Sequence, residues 1–557
     1  MCGFYFSTSD PINYSNSNHI QKFNKIKHRG VDHSKYLEIK KDKNFFLGHH
    51  RLSINDPHPR SHQPFQSSCN NYHLLFNGEI YNFRELRKNL NCDFTTNSDT
   101  EVILAGYIQE GFSFFKKLEG FFSILILDMK LNKIFLNVDP TSVKSLYYQL
   151  FNTTFEVSSE ISCLQPELSK SNLSQAIDSL GLQSYYQFGY IHAPKTIYKN
   201  ISKLEPGELI EFDLFKNQIK HKKKFNNHFA KLTNEKFDSL LLKAHESRLI
   251  ADVPIAHFLS SGVDSTVSNT IYSKLISKKK IDVYTLAISD SELDESDQAI
   301  SQTKSLNLNH DIVTMNSSQL LDEFKNFSYY IDEPFGDSSA ILVSFLSKNV
   351  SQKFKVAISS DGGDELLFGY KRHYFFQIFF WVVYLPSIIK TNISKFIRSN
   401  IILKVSSLLK IKHYEIKINK LLSLLEANSL QEAYFNLLKI NSDDSSQKIF
   451  KIWKSSKKEL TTEKKFNLNK IIKEIDYQYY LPSINYKNDR CGMQFSLEIR
   501  EPLLNYDLVR NYFDHKISFK NIIKPKYLFK KFLKKHKISV HSSKHGFSFS
   551  QKKLLNN

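Results

Sequence analysis

The stretch from Phe258 to Thr266, FLSSGVDST, constrains the fold of this chain more than any other. An apolar run, Val253 to Leu259, enters a turn of Ser260, Ser261 and Gly262, and helical patterning resumes at Asp264. A strand, a tight turn and a helix start together make a phosphate site. The first N–H groups of a helix have no partner within it, and a turn of small residues lets an anion reach them. Asp264 repels phosphate but suits a magnesium ion that bridges phosphate oxygens. On this segment alone an ordinary Ser-Gly turn capped by Asp is an equal account, so the rest of the chain decides.

At 557 residues the chain exceeds one core; its length gives a prior of about three domains, with two larger ones fitting as well. An apolar share of 41% with 13% aromatic residues excludes a disordered chain. The formal charge of +20 raises the question of nucleic acid. The lysines, however, are scattered, with no basic tail or arginine block, and read as a solvated surface rather than a nucleic-acid face. Cys2, Cys69, Cys92, Cys163 and Cys491 are odd in number and lack CxxC spacing, which points to a reducing, cytoplasmic setting. No signal-peptide pattern is present. Tyr374 to Ile389 (YFFQIFFWVVYLPSII) falls short of the roughly 18 to 20 residues that span a bilayer and is broken by Gln377 and Pro386. It reads as a buried or surface-adsorbing helix, without membrane insertion.

In the N-terminal part, Phe45 to Leu47, His73 to Phe76, Phe121 to Leu127 and Ile134 to Val138 read as strands of a layered antiparallel domain. Asp99 to Glu110 has helical spacing, with Ser98 as N-cap and Val102, Leu104, Ala105 and Ile108 on the buried side. With Met1 removed, Cys2 would carry both a thiol and a free α-amine that can serve as its base; an inert second residue is the bland alternative. Arg51 can clamp a carboxylate, and Glu79 or Asp99 can take an ammonium group. Asn77 and the Gly78 N–H can face an oxyanion, although Asn-Gly more often marks a hairpin turn.

Cys2-Gly3, His28-Arg29-Gly30, His50 to Ile54, Gln63-Pro64, Phe76 to Asn82 and Ser98 to Leu104 resemble, in order, the glutaminase domain of glutamine-hydrolysing asparagine synthetases. The resemblance implies an N-terminal-nucleophile fold of two stacked antiparallel sheets between helices. It further implies Cys2 as nucleophile on the glutamine amide, Asn77 and Gly78 as oxyanion hole, and Arg51, Asn77, Glu79 and Asp99 around the bound glutamine. The first domain is expected over 1–210 and a polar, lysine-rich linker over 211–234.

From 235 the pattern alternates: strand Val253 to Leu259, helix Asp264 to Ile276, strand Val283 to Ile288, helix Ser296 to Leu306, strand Lys355 to Ser359. Such alternation predicts a mostly parallel sheet with ligands beyond the carboxyl ends of its strands. The loop at 260–265 resembles the SGGxDS loop of ATP pyrophosphatases, which activate a carboxylate as its adenylate. The resemblance implies ATP contacts at Leu259, Ser260, Ser261, Gly262, Asp264, Ser265, Ile288, Ser359 and Ser360, and magnesium at Asp264 and Asp364. It also places Asp361 to guide ammonia. Tyr480 to Pro482, Lys487 to Arg490, Ser496 to Arg500 and Pro502 to Leu504 resemble the helical C-terminal part of the same family. There Lys487 can neutralise phosphate charge, while Arg490 and Arg500 equally suit structural ion pairs.

Ser261 and Ser360 stand where the family has Gly, which is tolerable only if φ is negative there. Val31 replaces a Pro, and Asp139 to Tyr148 lacks the usual Arg, Phe and Gly. The expectation is a glutamine-dependent amidotransferase that uses ATP and magnesium to make asparagine from aspartate. The same mechanism on another carboxylate, such as a uronic-acid sugar, is the alternative; a non-catalytic glutamine or nucleotide sensor is a further one. The family's habit of pairing through the glutaminase domain makes a homodimer an expectation.

Overall fold

The computed structural model describes residues 2–10, 15–165, 173–224, 236–276, 280–289, 296–398, 414–441, 467–513 and 525–538. Twelve strands form the first half: β1 (Gly3–Ser9), β2 (His33–Lys40), β3 (Asn44–Arg51), β4 (Phe65–Gln66), β5 (Tyr72–Ile80), β6 (Gly120–Asp128), β7 (Lys133–Val138), β8 (Tyr147–Phe151), β9 (Thr154–Ser158), β10 (Ile201–Lys203), β11 (Glu208–Asp213) and β12 (Gln218–Lys224). They make two antiparallel six-stranded sheets, ordered β10-β8-β9-β1-β3-β2 and β12-β11-β7-β6-β5-β4. Phe4, Phe6, Phe45 and Leu47 of the first sheet pack against Leu75, Leu125, Leu127 and Leu136 of the second. The second sheet's other face, with Leu74, Phe76, Ile124 and Ile126, receives Val102 and Ile103 of the Asp99–Glu110 helix. Both faces of β6 are therefore covered, and all nine of its residues are buried.

Ser98 does cap that helix, its Oγ accepting from the Glu101 N–H. The expected buried side is wrong at its end, because Ile108 is 46% exposed while Ile103 and Tyr107 turn inward. The linker also begins later than residue 211. β11 and β12 pair with each other and β11 with β7, since Phe212 and Leu214 complete the core between the sheets. Lysines on β12 mark a sheet edge, where charge discourages further strand addition.

The second half holds a parallel sheet of β13 (Ile255–Phe258), β14 (Asp282–Ile288), β15 (Asn309–Met315), β16 (Val356–Ile358) and β17 (Glu498–Arg500), ordered β15-β14-β13-β16-β17. The chain runs outward from β13 to β15, then returns to the other side of β13 as β16. The loops after β13 and β16 thus flank the switch point where such sheets open a crevice. Two strands, β15 and β17, escaped the sequence pattern.

The halves meet over a buried ion cluster. Arg29 donates twice to Asp489, at 2.9 and 3.1 Å, and once to Glu160 at 2.8 Å. Lys144 reaches Asp489 at 2.9 Å, as does Arg490, whose Nε also donates to Asp332 at 3.2 Å. Lys203 pairs with Glu333 at 2.6 Å. Burial alone would raise the Asp489 carboxyl, but Arg29, Lys144 and Arg490 hold it far below the usual carboxylate range. Asp489→Ala strands three buried cations, and we expect it to lower the stability of the chain by about 3–5 kcal/mol, read as a fall in the urea midpoint at neutral pH. An unchanged midpoint would mean that this cluster does not hold the halves together.

Candidate active site

Cys2 lies just before β1, 8% exposed, where β1 runs between β3 and β9. Its backbone N–H donates to Asn77 Oδ1 at 3.0 Å, and its carbonyl accepts from Arg29 Nε at 3.0 Å. Asn77 Nδ2 is buried with no hydrogen-bond partner. An open amide donor beside a thiol is what an oxyanion site requires. Gly78 has φ +151°, and a Cβ there would sit 2.1 Å from the Phe121 carbonyl oxygen, so no other residue fits the strand. Burial pushes the Cys2 thiol up, opposed by the Leu52 N–H and the Arg51 guanidinium.

Arg51 is fixed by the carbonyls of Asn55, Asp56 and His58 at 3.0, 2.7 and 3.1 Å, with two of its five donors left over. Asp99 accepts from the Ile80 N–H at 3.0 Å, and burial raises its carboxyl to about 6. One Glu79 oxygen accepts from Asn55 and the other from Arg500 of β17 at 3.1 Å, and each keeps a second lone pair with which to accept. Arg500 also donates to Glu498 at 2.6 Å. Arg500 and Arg490 are thus the ion-pair partners that sequence allowed, and both span the two halves.

In the second half, Ser265 Oγ donates to the carbonyls of Ser260 and Gly262, and Ser260 Oγ accepts from the Gly262 N–H. Gly262 caps the Val263–Ile271 helix without a side-chain bond, which leaves first-turn N–H groups facing outward. Ser261 and Ser360 are absent from the positive-φ residues, so the condition for serine at both places is met. Leu259, Ser260, Gly262, Asp264, Ser265, Ser359, Ser360, Asp361, Asp364 and Lys487 line one cavity of about 180 Å³. Ser261 is buried in the same loop, and Ile288 ends β14 outside that lining.

Asp264 and Asp364 converge on one cation, Lys526 Nζ, at 2.5 and 2.6 Å. The ammonium stands in for any metal ion between these carboxylates, and the donor set fits a magnesium ion completed by phosphate oxygens. Gly363 and Gly369 allow the convergence: a Cβ would meet Asp264 Cγ at 2.7 Å in the first case and Asp364 Oδ1 at 1.7 Å in the second. Lys526 itself has φ +56° and follows no local motif, which is why sequence reasoning missed it. Lys487 Nζ lies 3.1 Å from Ser339 Oγ and 3.5 Å from Asp337, and Asp337 and Asp361 raise its ammonium pKa against the effect of burial. Glu501, also missed, is fully buried: Asn488 Nδ2 donates to it at 3.0 Å and to Asp361 at 2.9 Å. Burial lifts the Glu501 carboxyl to about 8.

The glutamine amidotransferase domain family matches residues 1–225, and the asparagine synthase family residues 236–556. A Methanocaldococcus jannaschii protein, provisionally named glutamine-hydrolysing asparagine synthetase 2, is 30% identical over 383 residues, covering 64% of this chain and 73% of its own. Asparagine synthetase 1 of Bacillus subtilis is 29% identical over 62% of this chain and 54% of its own. Amidase chry2 of Gibberella zeae is 28% identical over 62% and 54% respectively. The chain carries a glutamine amidotransferase half and an asparagine synthase half, and it belongs to the asparagine synthase family. It spans about half the length of the latter two relatives.

Replacing Lys526 by Met removes the cation that Asp264 and Asp364 share. Millimolar magnesium then raises the thermal midpoint of Lys526→Met more than that of the wild type; equal shifts would show that the two carboxylates do not share an ion.

Proposed function

We propose that this chain transfers the amide nitrogen of glutamine to a carboxylate activated by ATP, with aspartate as acceptor and asparagine as product. The observation that carries the reading is Arg29, which bonds the Cys2 carbonyl through Nε and Asp489 through its other two nitrogens. Asn488, the next residue, touches Asp361 in the second cleft. One side chain therefore ties the nucleophile of one half to the helix that lines the cleft of the other.

The Cys2 thiol gives its proton to the free α-amine beside it as its sulfur attacks the side-chain carbonyl of glutamine. Asn77 Nδ2 and the Gly78 N–H hold the oxyanion; as it collapses the Cys2 α-ammonium returns its proton to the leaving nitrogen, which departs as ammonia, and water hydrolyses the remaining thioester to glutamate. Arg51 takes the substrate carboxylate with its two remaining donors, and Asp99 takes the α-ammonium. Glu79, oriented by Asn55 and Arg500, shares the α-ammonium with Asp99. Ammonia moves inward past Asp489 toward Asp361, beside Glu501, whose carboxyl is mostly uncharged at neutral pH and so offers little to trap an ammonium ion.

In the second cleft the loop 260–265 and the helix start behind it cradle the phosphates of ATP, and Ser359 and Ser360 border the nucleotide. Asp264 and Asp364 would hold magnesium, which when bound neutralises phosphate charge. Lys487 stabilises the charge that develops as the acceptor carboxylate attacks the α phosphate and pyrophosphate leaves. Ammonia, guided by Asp361, displaces AMP from the acyl-adenylate to give the amide. Enclosure of the path keeps ammonia unprotonated and the adenylate from water.

A second acceptor class is favoured by a specific observation: relatives with amidase names, chry2 of Gibberella zeae and chyE of Penicillium rubens, match at 28% identity. The fold and motifs support the mechanism more strongly than they support aspartate. With ATP, magnesium, glutamine and aspartate, we expect asparagine, AMP and glutamate in equal amounts. Cys2→Ala should lose glutamine use by at least about 1000-fold and still accept free ammonia. Glutamate without AMP would mean that aspartate is the wrong acceptor, and AMP without dependence on Cys2 would contradict the glutaminase assignment.

A further inference from the structure

The segment after the second cleft carries a surface that the amidotransfer reading does not use. Between Glu365 and Glu415 the chain has no Asp or Glu but eight Lys or Arg residues, although acids number 56 in 557 residues overall. Within it the structure places a helix over Lys371–Phe379, a 3-10 turn over Phe380–Tyr384 and a helix over Ser387–Ile397, broken apart at Pro386. The second helix has no fully buried residue. Ile393 and Ile397 pack it against Leu422 and Leu425 of the neighbouring Tyr414–Leu425 helix. Its other side is therefore presented outward by a seated helix and not by a loose one.

Large apolar side chains stand out from that helix and from the turn and helix before it. Ile378, Trp381, Tyr384, Ile388, Ile389 and Phe396 are 52, 52, 55, 74, 43 and 58% exposed. They are six of the twenty large apolar side chains exposed among the described residues, gathered within nineteen positions, which is a patch rather than scatter. Lys390, Lys395 and Arg398 line the adjoining open groove, with Glu426, the partner of Arg398 at 2.7 Å, as the one carboxylate among the described residues that line it. Among the described residues no helix is long and apolar enough to cross a membrane. Apolar side chains with an indole and a phenol, flanked by cations of one sign, are what an in-plane amphipathic helix presents to lipid.

We propose that the surface formed by Phe380–Tyr384 and the Ser387–Ile397 helix adsorbs to an anionic lipid bilayer. Trp381, Ile388 and Phe396 enter the headgroup boundary while Lys390, Lys395 and Arg398 meet lipid phosphates. The charge of the patch decides for lipid: a second copy would bring the same cations against themselves, whereas an anionic leaflet attracts each of them.

The test uses the full chain and vesicles of equimolar phosphatidylglycerol and phosphatidylcholine, beside vesicles of phosphatidylcholine alone. Sedimentation should show binding to the anionic vesicles at low salt, weakened at least about tenfold at high salt or on pure phosphatidylcholine. Ile388→Glu with Phe396→Glu should weaken binding by about tenfold or more and leave the thermal midpoint unchanged, because both positions are exposed. The chain has two tryptophans; with Trp453→Phe, brominated lipid should quench Trp381 emission, a readout that needs no change to the patch. The proposal is overturned by absence of binding at low salt, by binding that survives the double substitution, by unquenched Trp381, or by a protein dimer that dissolves on the same substitution.

Discussion

Everything this chain is proposed to do rests on the buried contact between Arg29 and Asp489. Ion pairs of this kind are costly to bury and give little net stability against an apolar alternative, but they are severe to break from one side. That asymmetry suits a joint whose register matters. Arg29 is wholly buried, and it fixes the Cys2 carbonyl and a helix from the other half of the chain at once. Lys144 and Arg490 balance the charge of Asp489, and Glu160 balances Arg29. The cluster is closed within the protein and depends little on solvent ions.

The helix Leu481–Met493 turns this joint into a site. It is buried around its circumference, so consecutive residues do different work. Lys487 faces the second cleft, Asn488 spans Asp361 and Glu501, and Asp489 and Arg490 enter the ion cluster. Arg500 repeats the arrangement on β17, joining Glu79 of the first half to Glu498 beside it. The glycines at 78, 363 and 369 give the close backbone approaches on which the thiol pocket and the paired carboxylates depend.

Local signals made much of this legible in the sequence. FLSSGVDST predicts a strand, a turn and a helix, and β13, the serine-bonded loop and the Val263–Ile271 helix follow it. Ser98 marks its helix start because capping is a short-range bond. What stayed hidden depends on distant partners. Lys526 reaches Asp264 across 262 positions of chain, and nothing near it signals a cation site. The Glu501 carboxyl is raised only because the packed interface buries it, against the opposing bond from Asn488. β17 is three residues long, too short for periodicity to reveal, and forms because its neighbour β16 offers an edge. β12 was read as linker because its lysines mask a strand whose pairing is set by β11.

The central claim is that ammonia made at Cys2 reaches the second cleft within the protein. Its most direct test supplies glutamine labelled with ¹⁵N in the side-chain amide, together with an excess of unlabelled ammonium, and reads the isotope in the amide product by mass spectrometry. The account predicts that the product carries ¹⁵N almost throughout, whatever the ammonium in solution. A product labelled in proportion to the mixed ammonia pool would contradict it, since nitrogen would then leave the protein before reaching the adenylate.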